Sequence, residues 1–240
     1  MRTINSFIVL VLVASSIIKV SAKPLVHTNE HLDKKQQSII IISSLASKGD
    51  LVQLQKALHD GLDAGLTINQ IKEVIVHLYA YCGFPRSIRG LQTFMEVLQQ
   101  RKAKGITDKT GNNASPIAND SNKYERGKKI LGELTNTKQP DSLSGYSAFA
   151  PVIDTFLKEH LFADIFERDV LTYAQRELVT ISVLSTIGNA EPMLKSHLSI
   201  SLNVGLSPQH LHEFVNIISV TIGKNEGDTA GKVLEEVLKK

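Results

Sequence analysis

Glu177 and His197 stand on either side of Gly188 in the segment TYAQRELVTISVLSTIGNAEPMLKSHLSISLNVGLSPQHLHEFVNIISVTIG, residues 172–223. The segment reads as a helical hairpin followed by a third helix, with Gly188 marking the hairpin turn. Glu177 precedes that glycine by eleven residues and His197 follows it by nine. At ~1.5 Å of rise per residue the two lie at similar heights on antiparallel helices. If their faces agree, a carboxylate and an imidazole meet there, which is the simplest acid/base pair in the chain.

Other chemistries find less support. His210 and His212 fall on different faces of one helix, and no His-x-x-x-His or carboxylate–histidine array accompanies them, so they read as surface histidines and no metal site is expected. There is no glycine-rich phosphate loop, Walker-type lysine or nucleophile elbow. Cys82 is the single cysteine, which rules out an intramolecular disulfide and leaves the fold to its core. Without an identifiable activating neighbour, its thiol reads as buried and inert.

The elements that must position Glu177 and His197 occur twice. Shifted by 140 positions, residues 32–98 align with 172–238 without a gap. Leu54, Leu58, Leu62, Gly65, Leu66, Glu73, Gly83 and Glu96-Val97-Leu98 meet Leu194, Leu198, Leu202, Gly205, Leu206, Glu213, Gly223 and Glu236-Val237-Leu238. Leucines every fourth residue make one face of a helix. The run Ile39–Ile42 could be a strand on β-branching alone, but the repeat argues for helix. Gly65 and Gly205 read as helix C-caps, and Thr67 and Ser207 as N-caps of the helices that follow. Residues 102–123, rich in Gly, Asn, Ser and Lys, read as a linker or long surface loop, with Asn-x-Ser sequons at Asn113 and Asn119. Helices are expected from Tyr124 to Leu134 and from Ser147 to His160.

The pattern Arg176-Glu177-Leu178, His197, Gly205-Leu206 and Glu213 resembles the carboxymuconolactone decarboxylase family, related to the alkylhydroperoxidase D proteins, over most of the chain beyond residue 30. The resemblance implies an all-α fold, two tandem alkylhydroperoxidase D-like repeats forming a helical bundle, and commonly a homo-oligomer. Copy one carries Gln37 and Ala57 where the ungapped alignment places Glu177 and His197. It carries instead Tyr81-Cys82-Gly83-Phe84-Pro85, which resembles the family's Tyr-x-Gly-x-Pro segment; copy two has Thr221-Ile222-Gly223-Lys224-Asn225 there. One composite site per chain is therefore expected, with Glu177 and His197 catalytic and copy one supplying walls such as Tyr81. The bland alternatives are two drifting scaffolds, a core histidine and a surface Arg176–Glu177 ion pair. The segment before copy two commonly helps close the pocket in this family, which makes Tyr124, His160 and Arg168 candidates to line it. Arg176 or Arg168 could hold a substrate carboxylate. Peroxidase chemistry of the alkylhydroperoxidase D type needs a Cys-x-x-Cys pair, and the corresponding residues are Ala190 and Met193 in copy two and Asp50 and Gln53 in copy one.

Composition frames these readings. The 240 residues are 42% hydrophobic and 21% charged, as expected of an ordinary globular protein. Residues 1–22 have a basic start, an apolar run from Phe7 to Ile18 and small residues at Ser21 and Ala22, the pattern of a secretory signal peptide cleaved after Ala22. The run is shorter than the ~20 residues that span a bilayer. Without Arg2 and Lys19, 25 of the 27 cations remain against 24 acids. That balance favours neither nucleic acid nor an anionic membrane as partner. The organisation expected is signal peptide 1–22, first repeat with leader 23–101, linker 102–123, and second repeat with preceding helices 124–240. The function expected is a secreted or periplasmic acid/base enzyme that needs no cofactor and acts on a small carboxylated lactone or organic acid. The rivals are a residual peroxidase using Cys82 and a non-catalytic binding or scaffold protein.

Overall fold

The computed structural model describes residues 30–117 and 122–239. The expected signal peptide, most of the leader and the Asn119 sequon lie outside the described residues. Every regular element among those described is helical. Copy one comprises α1 (Lys34–Lys48), α2 (Leu51–Asp63), α3 (Ile68–His77) and α4 (Tyr79–Ala103). Then come α5 (Lys123–Thr135), two five-residue helices α6 (Gly145–Phe149) and α7 (Pro151–Thr155), and a π-helix (Phe156–Phe166). Copy two comprises α8 (Tyr173–Ile187), α9 (Glu191–Asn203), α10 (Pro208–Thr221) and α11 (Lys224–Leu238).

The first helix of each copy forms the centre. α1 packs against α8, and each also reaches the third helix of the opposite copy, α1 on α10 and α8 on α3. Such helices are enclosed on every side. Ten consecutive residues of α8, Arg176–Ser185, are buried, and Ile39, Ile40 and Ile42 of α1 are fully so. A helix of this kind has no polar stripe to give it a readable period, which is why the isoleucine run is ambiguous as sequence. Its start is marked instead by a capping box, Asp33 with Gln36 on α1 and Thr172 with Gln175 on α8. Thr67 and Ser207 cap α3 and α10 as expected. Gly65 and Gly205 take the left-handed conformation with φ of 92° and 102°.

Those caps correct the ungapped alignment. Asp33 and Thr172, and the helix-ending Gly49 and Gly188, are 139 positions apart, whereas α2 and α9 remain 140 apart. The turn after α8, Gly188-Asn189-Ala190, is one residue longer than Gly49-Asp50. Asn189 sits at φ 53° in it. The counterpart of Glu177 is therefore Ser38, and Gln37 corresponds to Arg176. The inference survives the correction, because Ser38 and Ala57 cannot act as an acid/base pair.

The expected helix Ser147–His160 is broken at Ala150 (φ −135°, ψ 80°), because the residue before Pro151 is pushed out of the helical region. It resumes and overruns His160 as the π-helix. That element packs on α5 around Ile130, Leu134, Leu161, Phe162, Ile165 and Phe166. Gly127 permits the approach, since a Cβ there would stand 1.7 Å from the Lys158 carbonyl oxygen. The expected linker 102–123 is trimmed at both ends, where α4 runs to Ala103 and α5 starts at Lys123; its described residues between them form no helix, yet they are strapped down. The carbonyls of Lys109 and Thr110 accept from the Ile68 and Asn69 amides, and the Asn69 side chain donates to Gly111, Asn112 and Asn113.

Candidate acid/base site

The hairpin expectation is met in distance. His197 Nδ1 lies 2.8 Å from Glu177 Oε2. Facing an ionised carboxylate, Nδ1 must carry the proton and donate it, which leaves Nε2 as the reactive nitrogen. Glu177 is fully buried and the His197 side chain is 14% exposed, so the imidazole leads from the carboxylate outward. The second carboxylate oxygen, Oε1, has no partner among the described residues, nor does Nε of the adjacent Arg176. An orphaned buried polar atom costs about 1–3 kcal/mol. Two in successive residues mark a place where the fold gives up stability.

Arg176 and Glu177 are both completely buried, so they form no surface ion pair. Arg176 reaches across to copy one instead. Its Nη2 donates to Glu73 Oε1 at 2.8 Å and to the Arg168 carbonyl at 2.6 Å, while Nη1 lies 3.2 Å from His77 Nδ1. Arg168 grips the same Glu73 with two bonds, of 2.9 and 3.0 Å. Burial would raise the Glu73 pKa, but its bonds to Arg168 and Arg176 outweigh that and hold it below the usual carboxylate value. Burial likewise draws Arg176 down from the usual arginine value, against the pull of Glu73.

Glu73 and His77 of α3 were absent from the expected site. Their link to it spans about a hundred residues and leaves no local pattern. His77 is fully buried; burial first, then Arg176 and His197, depress its pKa far below that of a free histidine. It is neutral. Since Arg176 can only donate, His77 Nδ1 accepts and Nε2–H donates to Thr180 Oγ1 at 3.0 Å. Thr180 Oγ1 is 3.2 Å from the Tyr81 hydroxyl. The Tyr81 and His197 rings stand nearly perpendicular, with centroids 6.0 Å apart. Burial and the Glu177 charge raise the Tyr81 pKa well above that of an ordinary tyrosine, so its hydroxyl keeps its proton.

The remaining candidates are placed variously. Arg176 is enclosed, with its guanidinium bonded to Glu73 and His77. Arg168 is 40% exposed. His160 is 51% exposed and 3.1 Å from Asp164, with its ring 5.6 Å from Tyr79, which stacks on Phe84. Tyr124 lines no part of this site; its hydroxyl joins the buried Asp154–Lys158 pair, at 2.6 and 2.8 Å. His210 corrects the expectation of two surface histidines, being buried and serving the α10 capping box while His212 is exposed. Cys82 donates to the Leu78 carbonyl just before the kink at Gly83, and burial pushes its thiol up to about 11. A protonated thiol is a poor nucleophile at neutral pH.

The sequence profile of the Carboxymuconolactone decarboxylase family matches residues 22–94 and 151–236, more than half of the chain. The 4-carboxymuconolactone decarboxylase of Acinetobacter baylyi is 29% identical over 122 residues, which cover 50% of this chain and 90% of that protein. An uncharacterised protein of Methanocaldococcus jannaschii is 28% identical over 72 residues, 30% of this chain and 67% of its own.

Proposed function

Because the chain belongs to the carboxymuconolactone decarboxylase family, we propose that it is an acid/base decarboxylase of a small carboxylated lactone or related organic acid. The observation that carries this is the 2.8 Å contact between a fully buried Glu177 carboxylate and an imidazole leading toward solvent. The name of the Acinetobacter relative supports a carboxymuconolactone as the substrate class.

In the reaction, the C–C bond to the departing carboxylate breaks and carbon dioxide leaves. The electron pair enters the lactone as an enolate. His197, protonated on both nitrogens, then delivers the Nε2 proton to carbon and is reprotonated from water, while Glu177 holds Nδ1 and stabilises the imidazolium. Arg168, the more exposed of the two arginines on Glu73, is the anchor for a substrate carboxylate, and His160, exposed beside Tyr79, is a further substrate contact in this reading. The scheme draws on no cofactor. Secretion after cleavage at Ala22 belongs to the same reading, as does a homo-oligomer. The latter is supported by exposed apolar side chains such as Phe84 and Phe149, 63% and 91% exposed.

The test uses 4-carboxymuconolactone in deuterated buffer, following carbon dioxide release and deuterium uptake at the product carbon. His197→Gln and Glu177→Gln should each lower turnover by ~10²–10⁴-fold. The double variant should lose less than the product of the two, as expected of groups acting as a unit. Turnover equal to wild type in both folded single variants would remove the pair from the chemistry.

A further inference from the structure

The Glu177–His197 pair accounts for the proton delivered to carbon. It leaves unexplained why three uncharged groups, His77, Thr180 and Tyr81, are joined in line beside it. The bonding order follows from their donor inventories. Arg176 has only donors, so His77 Nδ1 must accept, and Nε2–H is committed to Thr180 Oγ1. Thr180 then has a single proton and two acceptors within reach, the Arg176 carbonyl at 3.0 Å and the Tyr81 oxygen at 3.2 Å. When that proton points to Arg176, the Tyr81 proton is drawn to Thr180. When it turns to Tyr81, the Tyr81 proton is released for another acceptor. The Tyr81 and His197 rings are in T-shaped contact, with centroids 6.0 Å apart, so that acceptor would lie in the neighbourhood of the imidazole.

We propose that His77 and Thr180 are positioning residues that set the proton of the Tyr81 hydroxyl, making Tyr81 the hydrogen-bond donor to the substrate oxygen that gains charge at the Glu177–His197 site. This rests on the decarboxylase reading for its substrate, but the relay itself is a property of the protein. The opposite half of the molecule lacks every member. The counterparts of Thr180, His77 and Tyr81 there are Ile41, Ile217 and Thr221, and that half also lacks the acid/base pair. The relay and the pair thus occur on the same side of the pseudo-symmetric core. A neutral donor suits an oxygen that is carbonyl-like in the ground state and enolate-like in the transition state, since the bond strengthens as charge develops.

Thr180→Val removes the hydroxyl while keeping the shape of the side chain. With 4-carboxymuconolactone it should lower kcat about tenfold with little change in KM, the rate equivalent of one neutral hydrogen bond. Thr180→Ser should restore the rate. Tyr81→Phe should lose at least as much, and Tyr81→Phe/Thr180→Val no more than Tyr81→Phe alone. Thr186→Val, which removes a hydroxyl elsewhere on α8, should match wild type. A Thr180→Val enzyme with wild-type kcat, or losses that multiply in the double variant, would overturn the relay. Should wild type not turn the lactone over, the decarboxylase reading fails separately. Nitrogen-15 spectra of the histidines then decide the relay, which requires a neutral His77 with a slowly exchanging Nε2–H in wild type and faster exchange in Thr180→Val. A His77 proton on Nδ1, or exchange unaffected by Thr180→Val, would overturn it.

Discussion

His77 and Glu73 give the stability of the protein a two-stage dependence on acid. The folded-state pKa of His77 lies far below 6.5, so the unfolded chain takes up a proton that the folded one refuses. Its contribution is therefore complete above about pH 6.5 and is lost as pH falls toward the folded value. Glu73 is also depressed, from 4.5, so its contribution is complete above that pH and is lost further down. Urea midpoints should begin to fall below about pH 6.5 and fall more steeply below about pH 4.5. His77→Gln should be less stable at neutral pH yet flatter between pH 6.5 and 5; an unchanged slope there would show that His77 is not the group responsible. At Cys82, Ellman's reagent should label the folded protein slowly and the urea-unfolded protein fast, and Cys82→Ser should keep its activity. Residue chemistry was legible where one hairpin supplies both partners, as for Glu177 and His197. It was not legible where the partner comes from the other copy, as for Arg176 with Glu73 or Thr180 with His77.

At the scale of elements, two glycines with the same label have opposite uses. Gly127 lets α5 lie against the π-helix, and a methyl group there would collide with rigid backbone at Lys158. Gly127→Ala should cost roughly 1–3 kcal/mol, the range for overpacking. Gly231 in α11 has only an ordinary contact at 3.5 Å, with Val215. Gly231→Ala should be neutral or stabilising, by up to about 1 kcal/mol from helix propensity. Thermal melts of the two variants should move apart, and a Gly127→Ala melt equal to wild type would mean that the two helices can separate freely. The sequence exposes most helix boundaries, because Thr67, Ser207, Gly65 and Gly205 advertise their roles. It conceals the π-helix, whose apolar residues also satisfy an α-helical reading. It also conceals the extra residue near Asn189, because a one-residue slip leaves the leucine pattern of α9 untouched while rotating the match on α8 by about 100°.

The whole molecule is two repeats that do not close separately. With α1 seated on α8 and α10, and α8 on α1 and α3, each repeat holds the central helix of the other. A chain of residues 30–117 alone should therefore lack a cooperative melt, and so should residues 122–239 alone. Mixing the two should restore helical circular dichroism and a single transition. A sharp melt from either fragment would show that the repeats are independent domains. The duplication itself was plain in the sequence, since leucines and Gly-Leu pairs recur at a fixed offset. The exchange of central helices was not, because periodicity reports that a face is buried without saying by which copy.

That exchange also sets a clock on the ribosome. α1 is complete at Lys48, but α10, one of its two distant partners, ends only at Thr221, about 170 residues later. At ~5–20 residues per second, roughly 10–35 s pass before both partners exist. Through that interval Ile39–Ile42 is a short β-branched run without charge or proline, the composition from which intermolecular sheets nucleate. The nascent protein thus spends up to about half a minute with that run covered only by α2, α3 and α4 of its own copy, before α8 and α10 complete its enclosure. Its yield should depend on translation speed and on chaperone supply more than the stability of the finished fold would suggest.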